Sequence, residues 1–102
     1  MMGDPIEDAF DKAVDHYANA EVAYMDCSDH YEQVFRDVFK EYEASHPGAA
    51  VEGIKFRLSL LRKEPGHILC EAWELKRKAK KVLIFAEAEK SKAKEAKWRA
   101  TR

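Results

Sequence analysis

Glycine and proline are scarce, four and three in 102 residues, and they fall near residues 3–5, at 47–53 and at Pro65-Gly66. What lies between these points is uninterrupted, so the chain divides into a few long segments. Cysteine is nearly absent as well: Cys27 and Cys70 lie 43 positions apart. We expect two reduced, buried thiols rather than a secreted staple. Long apolar runs are missing, for the longest is Val82 to Phe85, extended by Ala86, against the ~18 residues of a membrane span. The opening Met1-Met2-Gly3-Asp4-Pro5 carries no basic segment or apolar core, and Gly3 is not the second residue. Neither a secretory leader nor a myristoyl anchor is therefore expected, and the expected location is cytoplasmic.

A net charge is also missing. The formal value is −1, which on its own argues against polyanion partners. The argument fails once the chain is divided at Pro47-Gly48. Residues 1–47 hold twelve acids and three bases, a net of −9, and residues 48–102 hold seven acids and fifteen bases, a net of +8. What is abundant is charge of both signs, 36% of residues, beside 46% hydrophobic residues. That composition fits one small helical domain spanning residues 1–102, with long solvated faces.

The first segment has the marks of a helix over about 5–45. Asp4 can cap it, Pro5 suits the first turn, Glu7 stands at the capping-box position, and Pro47-Gly48 stops it. Such a helix would be roughly 60 Å long. Ile6, Phe10, Ala13, Tyr17, Ala20, Tyr24, Cys27, Tyr31, Val34 and Val38 alternate steps of four and three, the repeat of a left-handed supercoil. Val14, Val22, Met25, Phe35, Phe39 and Tyr42 widen the stripe. Residues 49–63 read as a short helix through Val51, Ile54, Leu58 and Leu61. The strand-like alternation of Ile54, Phe56, Leu58 and Leu60 has no partner strand elsewhere.

A last helix is expected over about 66–100. Its apolar seam is assigned to Ile68, Ala72, Leu75, Ala79, Val82, Ala86, Ala93, Ala96 and Ala100, with Glu89 as a polar interruption. Large residues of the first helix facing these alanines would allow close antiparallel packing. The expected fold is all-α: an antiparallel, coiled-coil-like hairpin of long helices with a short linking helix. Phe35, Phe39, Phe56, Trp73 and Phe85 are expected in an aromatic knot near the elbow or in a subunit contact. A lone pair of such helices leaves apolar surface wet, so a homodimer is expected.

Candidate chemistry is thin. Asp26, Cys27, Asp29 and His30 cluster without a metal-binding spacing, and Cys70 has only His67 within a turn. No phosphate loop, nucleophile elbow or zinc knuckle is present, so neither an enzyme nor a cofactor is expected. Tyr17, Tyr24 and Tyr31, seven apart, read as core seam rather than a base-stacking ladder. The basic residues 76–102, net +8, admit two compatible readings. One is self-neutralisation against the acidic first helix. The other is a phosphate-binding face, for which Lys76, Lys80, Lys90, Lys92, Lys94, Lys97, Trp98, Arg99 and Arg102 are the candidate contacts.

The Ala/Glu/Tyr-rich stretch Ala18-Asn19-Ala20-Glu21-Val22-Ala23-Tyr24, then Tyr31-Glu32-Gln33-Val34-Phe35-Arg36, and the ending Lys97-Trp98-Arg99-Ala100-Thr101-Arg102 carry a resemblance. Over roughly residues 18–102 the chain resembles small helical-hairpin proteins of tailed phages and prophages. It departs from them in Pro65-Gly66 and in the number of lysines in the last helix. The resemblance implies a setting among DNA-metabolism and recombination genes of a bacterial host, and weight on Trp98, Arg99 and Arg102. The expected function is a non-enzymatic protein-interaction module. The alternative is a nucleic-acid-binding recombination accessory.

Overall fold

In the computed structural model, which describes residues 4–101, three helices follow one another: α1 (Pro5–Ser45), α2 (Val51–Leu61) and α3 (Ile68–Ala100). The outer helices match their expected bounds to within two residues, and α2 is shorter than the expected 49–63. The segment that could have been a strand is helical because Ile54 and Leu58, one turn apart, are both buried. The fold is an all-α helical hairpin.

Local chemistry explains the ends. Asp4 Oδ1 accepts a hydrogen bond from the Ile6 amide at 2.9 Å, capping α1. Glu7, expected at the capping-box position, has its carboxylate 3.7 Å from the Lys97 ammonium on α3. After α1, Ala49 N donates to His46 O at 3.1 Å around Pro47 and Gly48. After α2, His67 N donates to Glu64 O at 3.2 Å around Pro65 and Gly66. Gly48 (φ 86°) and Gly66 (φ 85°) occupy the left-handed position that follows proline in such turns. His67 then caps α3, its Nδ1 accepting from the Leu69 amide at 3.1 Å.

The helices form two compact units, residues 4–25 with 79–101 and residues 26–78. In the first, Ala13, Ala20 and Ala86 are buried where α1 and α3 run antiparallel. Alanines at this seam let two helices approach closely, as their spacing in the sequence suggests. In the second unit, Val34, Ile54, Leu58, Leu69 and Ala72 form the core, with Tyr31, Phe35, Val38, Phe39, Tyr42 and Leu61 packed against it. Burying each of the large aliphatic side chains there contributes on the order of 2 kcal/mol. Arg62 covers Trp73, its guanidinium carbon 4.2 Å from the ring centroid. Cys27 and Cys70 are both half-buried and unpaired in this unit.

The seam of α1 is as expected from Phe10 onward, positions 10, 13, 17, 20, 24, 27, 31, 34 and 38 being buried or half-buried, but Ile6, in the first turn, is exposed. On α3 one of its two columns is displaced by a residue. Ala72, Ala79, Ala86 and Ala93 face inward as expected, but they alternate with Leu69, Lys76, Leu83, Lys90 and Lys97. Ile68, Leu75 and Val82, assigned to the seam by hydrophobicity, are each more than half exposed. The reason is the partner face: aromatic rings on α1 accept a lysine stem and ammonium where an aliphatic side chain would otherwise be needed.

The aromatic knot is also smaller than expected. Tyr31, Phe35, Phe39 and Trp73 cluster in the second unit. Phe56 is 66% exposed, and Phe85, which belongs to the first unit, is 75% exposed.

Candidate interaction surface on the basic helix

The eight candidate contacts within the described residues divide into two sets, and Arg102 lies outside those residues. Four lysines are turned toward α1. In the first unit, the Lys97 ammonium lies 4.6 Å from the Phe10 centroid, Lys90 4.4 Å from Tyr17 and Lys80 5.0 Å from Tyr24. In the second, Lys76 lies 5.3 Å from Tyr31 and 5.7 Å from Trp73. Tyr17, Tyr24 and Tyr31 are thus seam residues, half-buried, whose outer faces carry cations rather than stacked bases. Each such contact contributes about 0.5–1 kcal/mol at an exposed site.

The remaining candidates face solvent. Lys92 and Lys94 are exposed, and Arg99 is held to Glu95 of its own helix at 2.6 Å. Trp98 is 56% exposed, and its carbonyl accepts from the Thr101 hydroxyl at 2.9 Å. On the same outward side stand residues that were not among the candidate contacts: Lys81, Ile84 and Phe85. Phe85, Lys92 and Arg99 repeat every seven residues in one exposed column on the outward half of α3, next to Lys81 and Glu95, which lie opposite the seam. That seven-residue spacing was the available signal, since residues seven apart share one side of a helix.

The side of the first unit between its helices carries a different chemistry. His16 Nδ1 and Glu89 Oε1 are 3.2 Å apart, so the polar interruption of α3 has a partner on α1. Both flank a groove with Asn19, Ala23 and Val82. Tyr17 sits near Glu21 and Glu87; the Glu21 carboxylate foremost, then burial, Glu87 and a hydrogen bond to Glu21, push its hydroxyl above its ordinary pKa of 10.0. Among the described residues, no group of three or more His, Cys, Asp or Glu side chains could hold a metal ion. No helix is long and apolar enough to cross a membrane.

Compared with known proteins, the chain matches no family model, no curated protein and no solved structure.

Proposed function

We propose that the protein is a non-enzymatic interaction module whose working surface is the outward side of α3 in the first unit. One observation carries this reading: Phe85 is 75% exposed and Ile84 beside it 53% exposed, on a helix whose inward face is already occupied. Large apolar side chains grouped on a solvent face, rimmed by charge, are the usual anatomy of a protein contact. Lys81, Lys92 and Arg99 form that rim and favour an acidic partner surface. A partner in DNA-metabolism machinery of a bacterial cytoplasm is what the resemblance to phage hairpin proteins implies.

Nucleic acid is the second reading, supported by Trp98 and Phe85 interleaved with Lys92 and Arg99. It is the weaker one, because Lys76, Lys80, Lys90 and Lys97 already cover aromatic rings of α1.

The test compares the tagged wild-type chain with Phe85→Glu in capture of proteins from bacterial lysate, beside titration of a labelled single-stranded oligonucleotide. Proteins retained by the wild type and lost with Phe85→Glu, at unchanged helix content, support the interaction module. Equal capture by both overturns it. Oligonucleotide binding that falls steeply with salt and is lost in Lys92→Glu/Arg99→Glu moves the assignment to the second reading.

A further inference from the structure

The outward sides of α1 and α3 in the first unit are complementary to each other, although they face away from each other. The seam fixes the levels along the helices: Phe10 lies beside Lys97 and Tyr17 beside Lys90. Two residues before each ring on α1 comes an acid, Asp8 and Asp15, and two residues after each lysine on α3 comes a base, Arg99 and Lys92. One heptad further, the column of α1 reaches Val22, 58% exposed, and the column of α3 reaches Phe85. The α1 column lies opposite its seam, the α3 column is the neighbour of the one opposite its seam (Lys81, Ala88, Glu95), and every residue in the two columns is exposed.

We infer that the outward side of α3 receives the outward side of α1 from a second copy of this chain, antiparallel and in the register of the internal seam. Asp8 of one copy then stands level with Arg99 of the other, Lys12 with Glu95, Asp15 with Lys92 and Val22 with Phe85. Met25 and Ile84, both more than half exposed, meet on the flank. Three of these levels pair opposite charges and one pairs two apolar groups, while the level between Asp15 and Val22 sets Asn19 against the small Ala88.

Other self-pairings fail at the same positions. Joining α1 to α1 sets Asp8, Asp11 and Asp15 against their own kind, and joining α3 to α3 sets Lys81, Lys92 and Arg99 against theirs. A parallel α1–α3 contact places Asp8 on Phe85 and Val22 on Arg99, leaving charge against apolar surface.

The contact is head-to-tail, since its two halves are different surfaces. Each copy has one of each, so association continues into a ring or an open chain rather than stopping by symmetry at two. This inference rests on the interaction reading of the α3 surface and names its partner.

Sedimentation velocity across protein concentration and salt tests it. The wild type should associate at low salt, with association weakening as salt rises. Asp8→Lys/Asp15→Lys and Lys92→Glu/Arg99→Glu should each weaken it by about tenfold or more. An equimolar mixture of the two variants restores opposite charges at both contacts and should associate again, which also shows that both variants fold. A wild type that stays monomeric at low salt overturns the inference, as do variants that associate like the wild type or a mixture that stays apart. If the wild type is monomeric while Phe85→Glu still abolishes capture of another protein, the interaction module stands and self-association falls. If Phe85→Glu changes nothing in either experiment, both fall.

Discussion

The ammonium of Lys90 stands 4.4 Å from the centroid of the Tyr17 ring, so one of the candidate nucleic-acid or partner contacts completes the packing of α1 against α3. Its methylenes cover apolar surface while its charge lies over the electron-rich face of the ring. Lys97 over Phe10 repeats the arrangement one heptad away.

Lys90→Ala should therefore cost about 1 kcal/mol in urea unfolding, more than an ordinary surface substitution. Lys90→Met keeps the stem and should lose about half as much. Lys92→Ala, on the outward side, should change stability by less than about 0.5 kcal/mol. Equal effects at positions 90 and 92 would show that Lys90 is only a solvated charge.

The two units should respond oppositely to side-chain volume. Leu58 is 1% exposed in the core of residues 26–78, and Leu58→Ala should cost about 2–5 kcal/mol through lost burial and a cavity. Ala20 is buried where the helices approach closely, and Ala20→Leu should cost about 1–3 kcal/mol by overpacking. Chemical denaturation of both variants checks the pair.

Gly48→Ala isolates backbone strain. A Cβ there meets nothing within 4 Å, and φ is 86°. Its cost should be about 1 kcal/mol and arise from the left-handed conformation alone. For a domain of this size, that lowers the thermal midpoint by about 4–8 °C. His67→Ala should cost about 1 kcal/mol by removing the acceptor for Leu69 N, and His67→Asp should recover most of the loss. Calorimetry on the three variants separates the turn from the cap.

Tyr17 should ionise above the ordinary tyrosine value of 10.0, chiefly because of Glu21. Absorbance near 295 nm, comparing the wild type with Tyr17→Phe, isolates its titration. Glu21→Gln should lower it toward the ordinary value. The sign for stability follows from proton binding: with the folded value raised, the native state holds the proton longer than the unfolded chain. Its contribution is complete below the unfolded value and fades as pH rises through the folded one.

The helices and the α1 seam were legible because Phe10, Ala13, Tyr17, Ala20 and Tyr24 state their spacing in apolar residues. The second column of α3 was not, because Lys76, Lys90 and Lys97 occupy it. Hydrophobicity assigns lysine to water and puts Leu75 and Val82 inside instead. The partner rings decide otherwise, and nothing in α3 alone records them. A matching rhythm does exist: lysines at 76, 90 and 97 mirror Tyr31, Tyr17 and Phe10 in reverse order. Of the candidate site, Lys92, Trp98 and Arg99 lie on the solvent side, while Phe85 was expected in an aromatic knot or in a subunit contact and is exposed. Its exposure depends on which side of α3 is outward, and the displaced column determines that side.

The hydrogen bond between His16 and Glu89 joins residues 73 positions apart, whereas the core of residues 26–78 is closed by α2 and two short turns. Bringing distant segments together costs more chain entropy than joining near ones, and helix pairing lengthens most readily from contacts already made. The molecule should thus fold as a zipper, from the Pro-Gly turns toward its ends. Amide hydrogens should exchange in the opposite order, fastest near Phe10 and Lys97 and slowest around Ile54, Leu58 and Leu69.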